Sequence, residues 1–441
     1  MSKYLKVAVA ALAAVAIAAP AMAEFKVSGY YRVQGIATNS DDTSTLFDGP
    51  NTVEPNSRTL IDQRLRMMVT NSLNEYVKVV WHGEVDGVWG STAVVGDGGP
   101  GGDRISVETK NAYLDFKVPD SIFSARVGLQ GIGGRYQGLL LQDDWSAAQV
   151  GMKFSDNLNL VLLYSKPSEG SYAVTDDVNF YNAQLDTKAG NVNIGADLAW
   201  FENNSIGAAA AAGLGDSPLF ANDKPFNLYF AGIKADTKIN DIGLDGFLLY
   251  AWGEEDNPTG VTTPEIDISS FAATVGVKGK VNTVGLGARA IYLSGDSDTD
   301  DEIESFVPNL GGNYDFAGEN LMIFLTDPFY NNGPGGRLAT NAATNDGVGL
   351  VGLTAQANMT VGKHYGKLGL GYFMAADTPS GVDDQMGFET AVRVGTKIAE
   401  KVDISLNGGY AFLGDYWQDA KGLADSPDNI WKSVVMINVP F

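Results

Sequence analysis

Arginines and lysines recur on one face of successive apolar segments in the first third of the chain. In segment 25–38, Phe25, Val27, Tyr31 and Val33 form an apolar face, which leaves Lys26, Arg32 and Gln34 on the other. In 58–70, Ile61, Leu65, Met67 and Val69 leave Asp62, Arg64 and Arg66 opposite. The same alternation sets Lys78, Arg126 and Lys153 against apolar neighbours. Connection 132–146 then carries Arg135, Asp143, Asp144 and Trp145. Fixed charges of this kind, gathered along a narrow water-filled passage, order water and sort solutes by charge and dipole. That is the chemistry of passage rather than of bond-making.

Other constellations are weaker. His82 and His364 are the two histidines, and His82 shares its face with Glu84 and Asp86. A catalytic histidine needs a placed nucleophile, and Ser72 is the nearest serine in sequence. His82 therefore reads as a polar wall residue, and no catalytic residue is assigned. Asp296, Asp298, Asp300, Asp301, Glu302 and Glu304 cluster in one connection and could hold Ca²⁺ or Mg²⁺ through oxygen ligands. The glycine and the closing glutamate of an EF-hand loop are absent, so a solvated acidic loop is the stronger reading, with Asp296, Asp298 and Asp300 a weak metal candidate. The chain has no cysteine, which excludes disulfides, thiolate metal sites and covalent haem, and no cofactor is expected.

The elements that carry these charges read as strands. Val77, Val79, Trp81 and Val85 alternate with Lys78, His82, Glu84 and Asp86; Val402, Ile404, Leu406, Tyr410 and Phe412 alternate with Asp403, Ser405 and Asn407. The spacing predicts strands at 25–38, 58–70, 75–87, 104–118, 121–131, 147–155, 158–166, 177–187, 191–202, 226–238, 241–253, 268–279, 282–294, 347–361, 365–376, 385–398, 401–413 and 430–441. Connections between them alternate short and long. A transmembrane β-barrel has short periplasmic turns and longer outer loops. The expected fold is thus an all-β, antiparallel transmembrane barrel of about 18 strands, with 16 as the alternative because an error of two strands preserves the parity. Polar inward positions such as Asn159, Gln184, Asp245, Gln356 and Asn407 argue for a wet lumen.

The two ends agree. Lys3 and Lys6, the apolar run 7–19 and Ala21-Met22-Ala23 form a secretory signal peptide. The expected division is signal peptide 1–23 and barrel 24–441. The signal segment carries two lysines and no acid, so the rest has net charge −25 against −23 for the whole chain. Such acidity argues against nucleic acid and suits loops bridged by divalent cations to lipopolysaccharide. At the other end Trp431, Val435, Ile437, Val439 and Phe441 form one apolar strand face that runs to the last residue.

That ending resembles the closing strand of bacterial outer-membrane β-barrel proteins, whose terminal Phe is recognised by the barrel assembly machinery. The resemblance implies that Trp431 and Phe441 serve closure and assembly. Asp62-Gln63-Arg64-Leu65-Arg66 and 107–118 resemble segments of porins from anaerobic, metal-reducing Gram-negative bacteria. In general porins, which the architecture resembles, the loop after strand five folds into the barrel, and its carboxylates face wall arginines. Carried over, Asp143 and Asp144 would face Arg32, Arg64, Arg66 and Arg126, with Lys78, Arg135 and Lys153 on the same pore lining. The family implies an outer-membrane location, lipid contact, passive diffusion of ions and small hydrophilic solutes, and a homotrimer as one assembly. A dedicated sugar or polysaccharide channel, and a barrel supporting extracellular electron transfer with a partner cytochrome, stay open at this point. An aromatic row along the lumen would favour the sugar channel, and no continuous row is evident.

Overall fold

The computed structural model describes residues 24–39, 58–91, 97–98, 106–169, 177–204, 225–255, 266–297, 302–306, 319–325, 338–339, 343, 346–423 and 425–441. The signal-peptide segment 1–23 lies outside them. Eighteen long strands are present among the described residues. They are β1 Glu24–Thr38, β2 Arg58–Ser72, β3 Val77–Trp89, β4 Glu108–Lys117, β5 Phe123–Ile132, β6 Asp143–Ser155, β7 Leu158–Ser168, β8 Val178–Ala189 and β9 Val192–Asn203. They continue with β10 Phe226–Ile239, β11 Ile242–Glu255, β12 Ile266–Val281, β13 Val284–Leu293, β14 Leu350–Val361, β15 His364–Met374, β16 Gln385–Ala399, β17 Val402–Leu413 and β18 Ile430–Pro440. Two-residue pieces, Asp97–Gly98 and Glu302–Ile303, add short parallel pairings to the ends of β3 and β12. A helix α1, Tyr416–Lys421, sits between β17 and β18.

Each long strand pairs antiparallel with the next, and β1 pairs with β18 from Tyr30↔Pro440 to Thr38↔Lys432. The sheet is therefore a closed barrel with no free edge, the condition for β structure in a membrane. Phe441 fastens the closure: its N–H donates to the Gly29 carbonyl at 3.0 Å and its carbonyl accepts from the Gly29 N–H at 3.1 Å. Gly29 has to be a glycine here, since a Cβ would meet the Arg66 carbonyl oxygen at 2.1 Å and the Phe441 ring at 3.0 Å. At the other rim the Asn39 side chain accepts from the Trp431 N–H at 2.7 Å and donates to the Asn429 carbonyl at 2.8 Å. The short turns carry residues that tolerate a left-handed backbone: Asp120, Gly190, Asn240, Asn282 and Gly362 all have positive φ.

The outward face follows the alternation read from the sequence. Val27, Leu198, Ile233, Val275, Leu353, Val394, Leu406 and Val435 stand exposed along it. A barrel in lipid buries these in hydrocarbon rather than in protein. Near the long-loop end Tyr164, Tyr181, Trp200, Tyr229 and Trp252 stack in a row across five strands, with ring centroids 5.0–6.2 Å apart. Such rings belong at the membrane–water boundary, where one edge is wet and the other apolar.

Two expectations need correction. β6 begins at Asp143, not 147, because Ile132↔Asp143 and Gly131↔Asp144 extend the β5 ladder. Asp143, Asp144 and Trp145 are therefore wall residues, not loop residues. The lumen is also less uniformly polar than the pattern suggests. Its long-loop half is packed with apolar side chains, among them Phe180, Phe201, Phe226, Phe230, Leu249, Ile291 and Phe373, each 2% exposed or less. They form one cluster with Leu139–Leu141 and 321–325 of the connections, a long-range packing that strand alternation does not reveal.

Candidate constriction inside the barrel

The connection after β5 folds inward. Gly133, Gly134, Tyr136, Gln137 and Gly138 all take positive φ, which turns the chain sharply back on itself. Gly133 is required at the start, since a Cβ there would meet the Leu141 carbonyl oxygen at 2.4 Å. The turn drives Tyr136 and Leu139–Leu141 into the interior, where each is 4% exposed or less. The Tyr136 ring lies edge-on to Phe247 of β11 at 5.5 Å. It also lies against Gly232 of β10, where a Cβ would stand 2.5 Å from the ring.

Charge fixes this loop. Arg135 donates to Asp197 of β9 at 2.5 and 2.8 Å and to Asp186 of β8 at 2.9 Å. The Tyr136 hydroxyl donates to the same Asp197 oxygen at 2.6 Å. Asp197 is 2% exposed, so this is a dry, charge-assisted clasp. Burial first, then the Asp197 carboxylate, push the Tyr136 phenol well above the ordinary tyrosine range, so it stays a donor.

A second segment, 319–325, belongs to the longest connection and folds into the β13–β17 side. The Glu389 carboxylate of β16, fully buried, accepts backbone N–H bonds from Met322 at 2.6 Å, Ile323 at 3.1 Å and Phe324 at 2.8 Å. Glu319 accepts from Arg289 at 2.9 Å and from Thr354 at 2.7 Å. Arg289 in turn donates to Asp245 of β11 at 2.6 Å. Asn320 donates to Gln356 at 3.1 Å and Asn358 at 3.0 Å. Small residues on the wall make room: Cβ atoms at Gly369 and Gly371 would meet Asn320 and Leu321 at 2.6 and 2.7 Å. The apolar run 321–325 thus lies inside the barrel. Phe329 and Tyr330 of the same connection lie outside the described residues.

Carboxylates on neighbouring strands accompany most of the basic stripe. Arg64 and Arg66 stand opposite Asp86 and Glu84 in the β2–β3 ladder. Arg64 donates to Asp86 at 2.7 Å, and Arg66 bonds Glu84. Arg126 donates to Asp115 at 2.8 Å and sits 4.7 Å over the Tyr113 ring. Arg32, 6% exposed, stands opposite Arg64 in the β1–β2 ladder, and Lys78 opposite Asp115. Lys153 pairs with Asp156 at the exposed turn, at 2.7 Å.

The expected opposition of Asp143 and Asp144 to this stripe is not found. Asp144 bonds Lys110 and Asn111 of β4, each at 2.7 Å, and Asp143 accepts from the Asp144 N–H at 2.7 Å. The inward loop carries its own arginine to wall carboxylates instead, which inverts the anticipated polarity. Arg135 stands out by type in the sequence, but its partners Asp186 and Asp197 and the buried Glu389 do not. Their only sequence signal is a carboxylate in an inward register position. His82 hydrogen-bonds Asn111 at 3.3 Å. Of the acidic loop, Asp298 and Asp300 lie outside the described residues, while Asp296 accepts from the Glu304 N–H at 3.2 Å. Among the described residues no three His, Cys, Asp or Glu side chains converge as a metal site.

Inward aromatic rings do form a contact series, Trp145, Phe180, Phe201 and Phe226, with centroids 5.7–6.5 Å apart. Each is at most 7% exposed, so the row packs the interior and offers no face to a sugar.

No protein-family model and no curated protein matches the chain. Solved structures do. A BenF-like porin from Pseudomonas fluorescens superposes with a TM-score of 0.52 at 11% identity, over 94% of this chain and 98% of that one. This is a porin fold. OccK8 (OprE) of Pseudomonas aeruginosa matches this barrel with a TM-score of 0.55 at 12% identity, over 95% and 98%. OccK2 (OpdF) of the same organism, solved in complex with glucuronate, gives 0.54 at 9% identity, over 95% and 98%. What the superpositions share is the barrel fold.

Proposed function

We propose that this chain is an outer-membrane channel that passes ions and small hydrophilic solutes down their gradients through a lumen narrowed by two infolded segments. The observation that carries this reading is the closed 18-strand wall with charged pairs along its inner face. Barrels of ~16–18 strands enclose more space than wall side chains alone can fill. The covered aromatic row gives a sugar slide no support.

Segments 133–142 and 319–325 limit the passage in the long-loop half, while Lys78, Asp115, Arg126 and their neighbours line it nearer the short turns. Proteoliposomes bearing the protein should swell fast in small polyols and slowly in trisaccharides. Equal swelling rates across that size range would contradict a constricted pore. For assembly, Phe441 is read as the recognised end of β18, and its removal should lower the amount of heat-modifiable folded protein in the outer membrane. Unchanged yield would leave Phe441 with no assembly role.

A further inference from the structure

The short-turn end of the barrel carries lysines that the constriction does not use. Lys26 of β1, Lys78 of β3, Lys117 of β4, Lys188 of β8, Lys278 of β12 and Lys397 of β16 all stand exposed close to the short-turn ends of their strands. The alternation sets them inward, because their neighbours Phe25, Val27, Val79, Val118, Val277 and Ile398 are exposed on the other face. No ammonium group of the six has a hydrogen-bond or ion-pair partner among the described residues.

The inward carboxylates at this end are engaged elsewhere. Asp115 and Asp403 lie opposite Lys78 and Lys397 in their ladders, yet Asp115 accepts from Arg126 at 2.8 Å and Asp403 from the Tyr365 hydroxyl at 2.7 Å. Asp186 accepts from Arg135 at 2.9 Å, and Asp245 from Arg289 at 2.6 Å. Asp236 bonds the neutral Asn193 amide at 2.8 Å and so offsets part of the excess. On the turns, Asp156 and Asp241 pair with Lys153 and Lys238, while Glu75, Asp120 and Glu400 stand exposed beyond the strands. The long-loop end has the opposite balance. Glu254, Asp267, Asp384, Asp415, Asp425 and Asp428 are exposed there. Lys110, Lys166 and Lys421 at that end are tied to Asp144, Asp177 and Asp346 at 2.7, 2.8 and 3.0 Å.

From this placement we infer that the free lysines form a ring that draws small anions to the short-turn mouth, and that the barrel, basic at one mouth and acidic at the other, passes current more readily in one direction. The inference rests on the channel reading above. Rings of lysine favour anions in a pore, and rings of carboxylate favour cations. Lysine ammonium groups are mobile, strongly hydrated point charges, suited to attracting an anion without holding it. Anions therefore gather at the short-turn mouth and cations at the long-loop mouth. With the long-loop side positive, both are driven toward the middle of the lumen, where carriers accumulate. The reverse polarity draws both outward and depletes the middle.

The test is single-channel recording in KCl at two concentrations. The chain has no cysteine, so Ser426→Cys, exposed at the long-loop end and biotinylated, lets streptavidin in one chamber report the orientation of each channel. At 1 M KCl the Debye length is about 3 Å and the steps should be ohmic; at 0.01 M it is about 30 Å, and the current with the long-loop side positive should exceed the reverse current about twofold. Lys78→Gln, Lys188→Gln and Lys278→Gln combined in one protein should bring that ratio close to unity and shift the zero-current potential in a KCl gradient toward cations. These three ammonium groups have no partner to lose, so the barrel should stay heat-modifiable. Lys166→Gln at the long-loop end should keep the wild-type ratio or raise it. Open channels with equal low-salt currents in both directions, asymmetry of the opposite sense, or a triple variant as asymmetric as wild type would overturn the ring and leave the channel reading intact. Silence at both concentrations would remove the channel reading and the ring with it.

Discussion

Replacing Glu389 with alanine should raise the single-channel conductance at least twofold and leave the barrel folded. Glu389 is fully buried on β16 and takes three backbone N–H bonds from residues 322–324. Hydrogen bonds to a charged group contribute about 1.5–3 kcal/mol each. Losing all three frees the backbone of 322–324 from the wall, while Glu319 and Asn320 keep the start of the segment fastened, so the apolar run should loosen and widen the passage. The ladder bonds of β16 to β15 and β17 are backbone bonds and persist. Glu389→Gln keeps one carbonyl acceptor and should fall between wild type and alanine. Conductance of the alanine variant equal to that of wild type, with both open, would mean that 319–325 does not obstruct the passage.

The second large effect is expected at the other infolded segment. Asp197→Ala should lower the temperature at which the folded band disappears on heated gels by more than any single change in the exposed pairs. Asp197 receives Arg135 twice and Tyr136 once, and its own carboxylate is buried. Removing one partner of a buried ion pair costs about 3–5 kcal/mol; here Arg135 keeps only the half-exposed Asp186, and the Tyr136 hydroxyl loses its acceptor. Arg135→Ala should cost less, since Asp197 retains the Tyr136 hydroxyl and Asn182. Disrupting Lys153–Asp156 at the exposed turn should cost well under that, as solvent screens both groups. A variant order in which Lys153→Ala matches Asp197→Ala would mean that the clasp carries no stability.

The wall was legible in the sequence because a strand's two faces alternate strictly, and lipid and lumen impose opposite demands on them. Arg64, Arg66 and Arg126 could be assigned inward from Leu65 and Val127 alone. The closing pair β1–β18 was legible from the apolar face ending at Phe441. Long-range approach was not legible. Nothing local says that Glu389 will meet residues 322–324, or that Arg135 will cross to Asp186 and Asp197. Those contacts depend on how two connections turn inward, and the glycines that allow it, Gly133, Gly369 and Gly371, look like any others in a glycine-rich chain. The start of β6 was missed for a related reason: Asp143 and Asp144 read as loop chemistry, while their pairing with β5 makes them wall. The error mattered, because it supplied the wrong partners for the arginines.

The most direct test of the channel is single-channel recording of the purified wild-type protein in a planar bilayer with symmetric KCl. Discrete, ohmic insertion steps, smaller than those of Glu389→Ala under the same conditions, are the expected result. Silence from both proteins, each verified as folded by heat modifiability, would contradict a water-filled passage through this barrel.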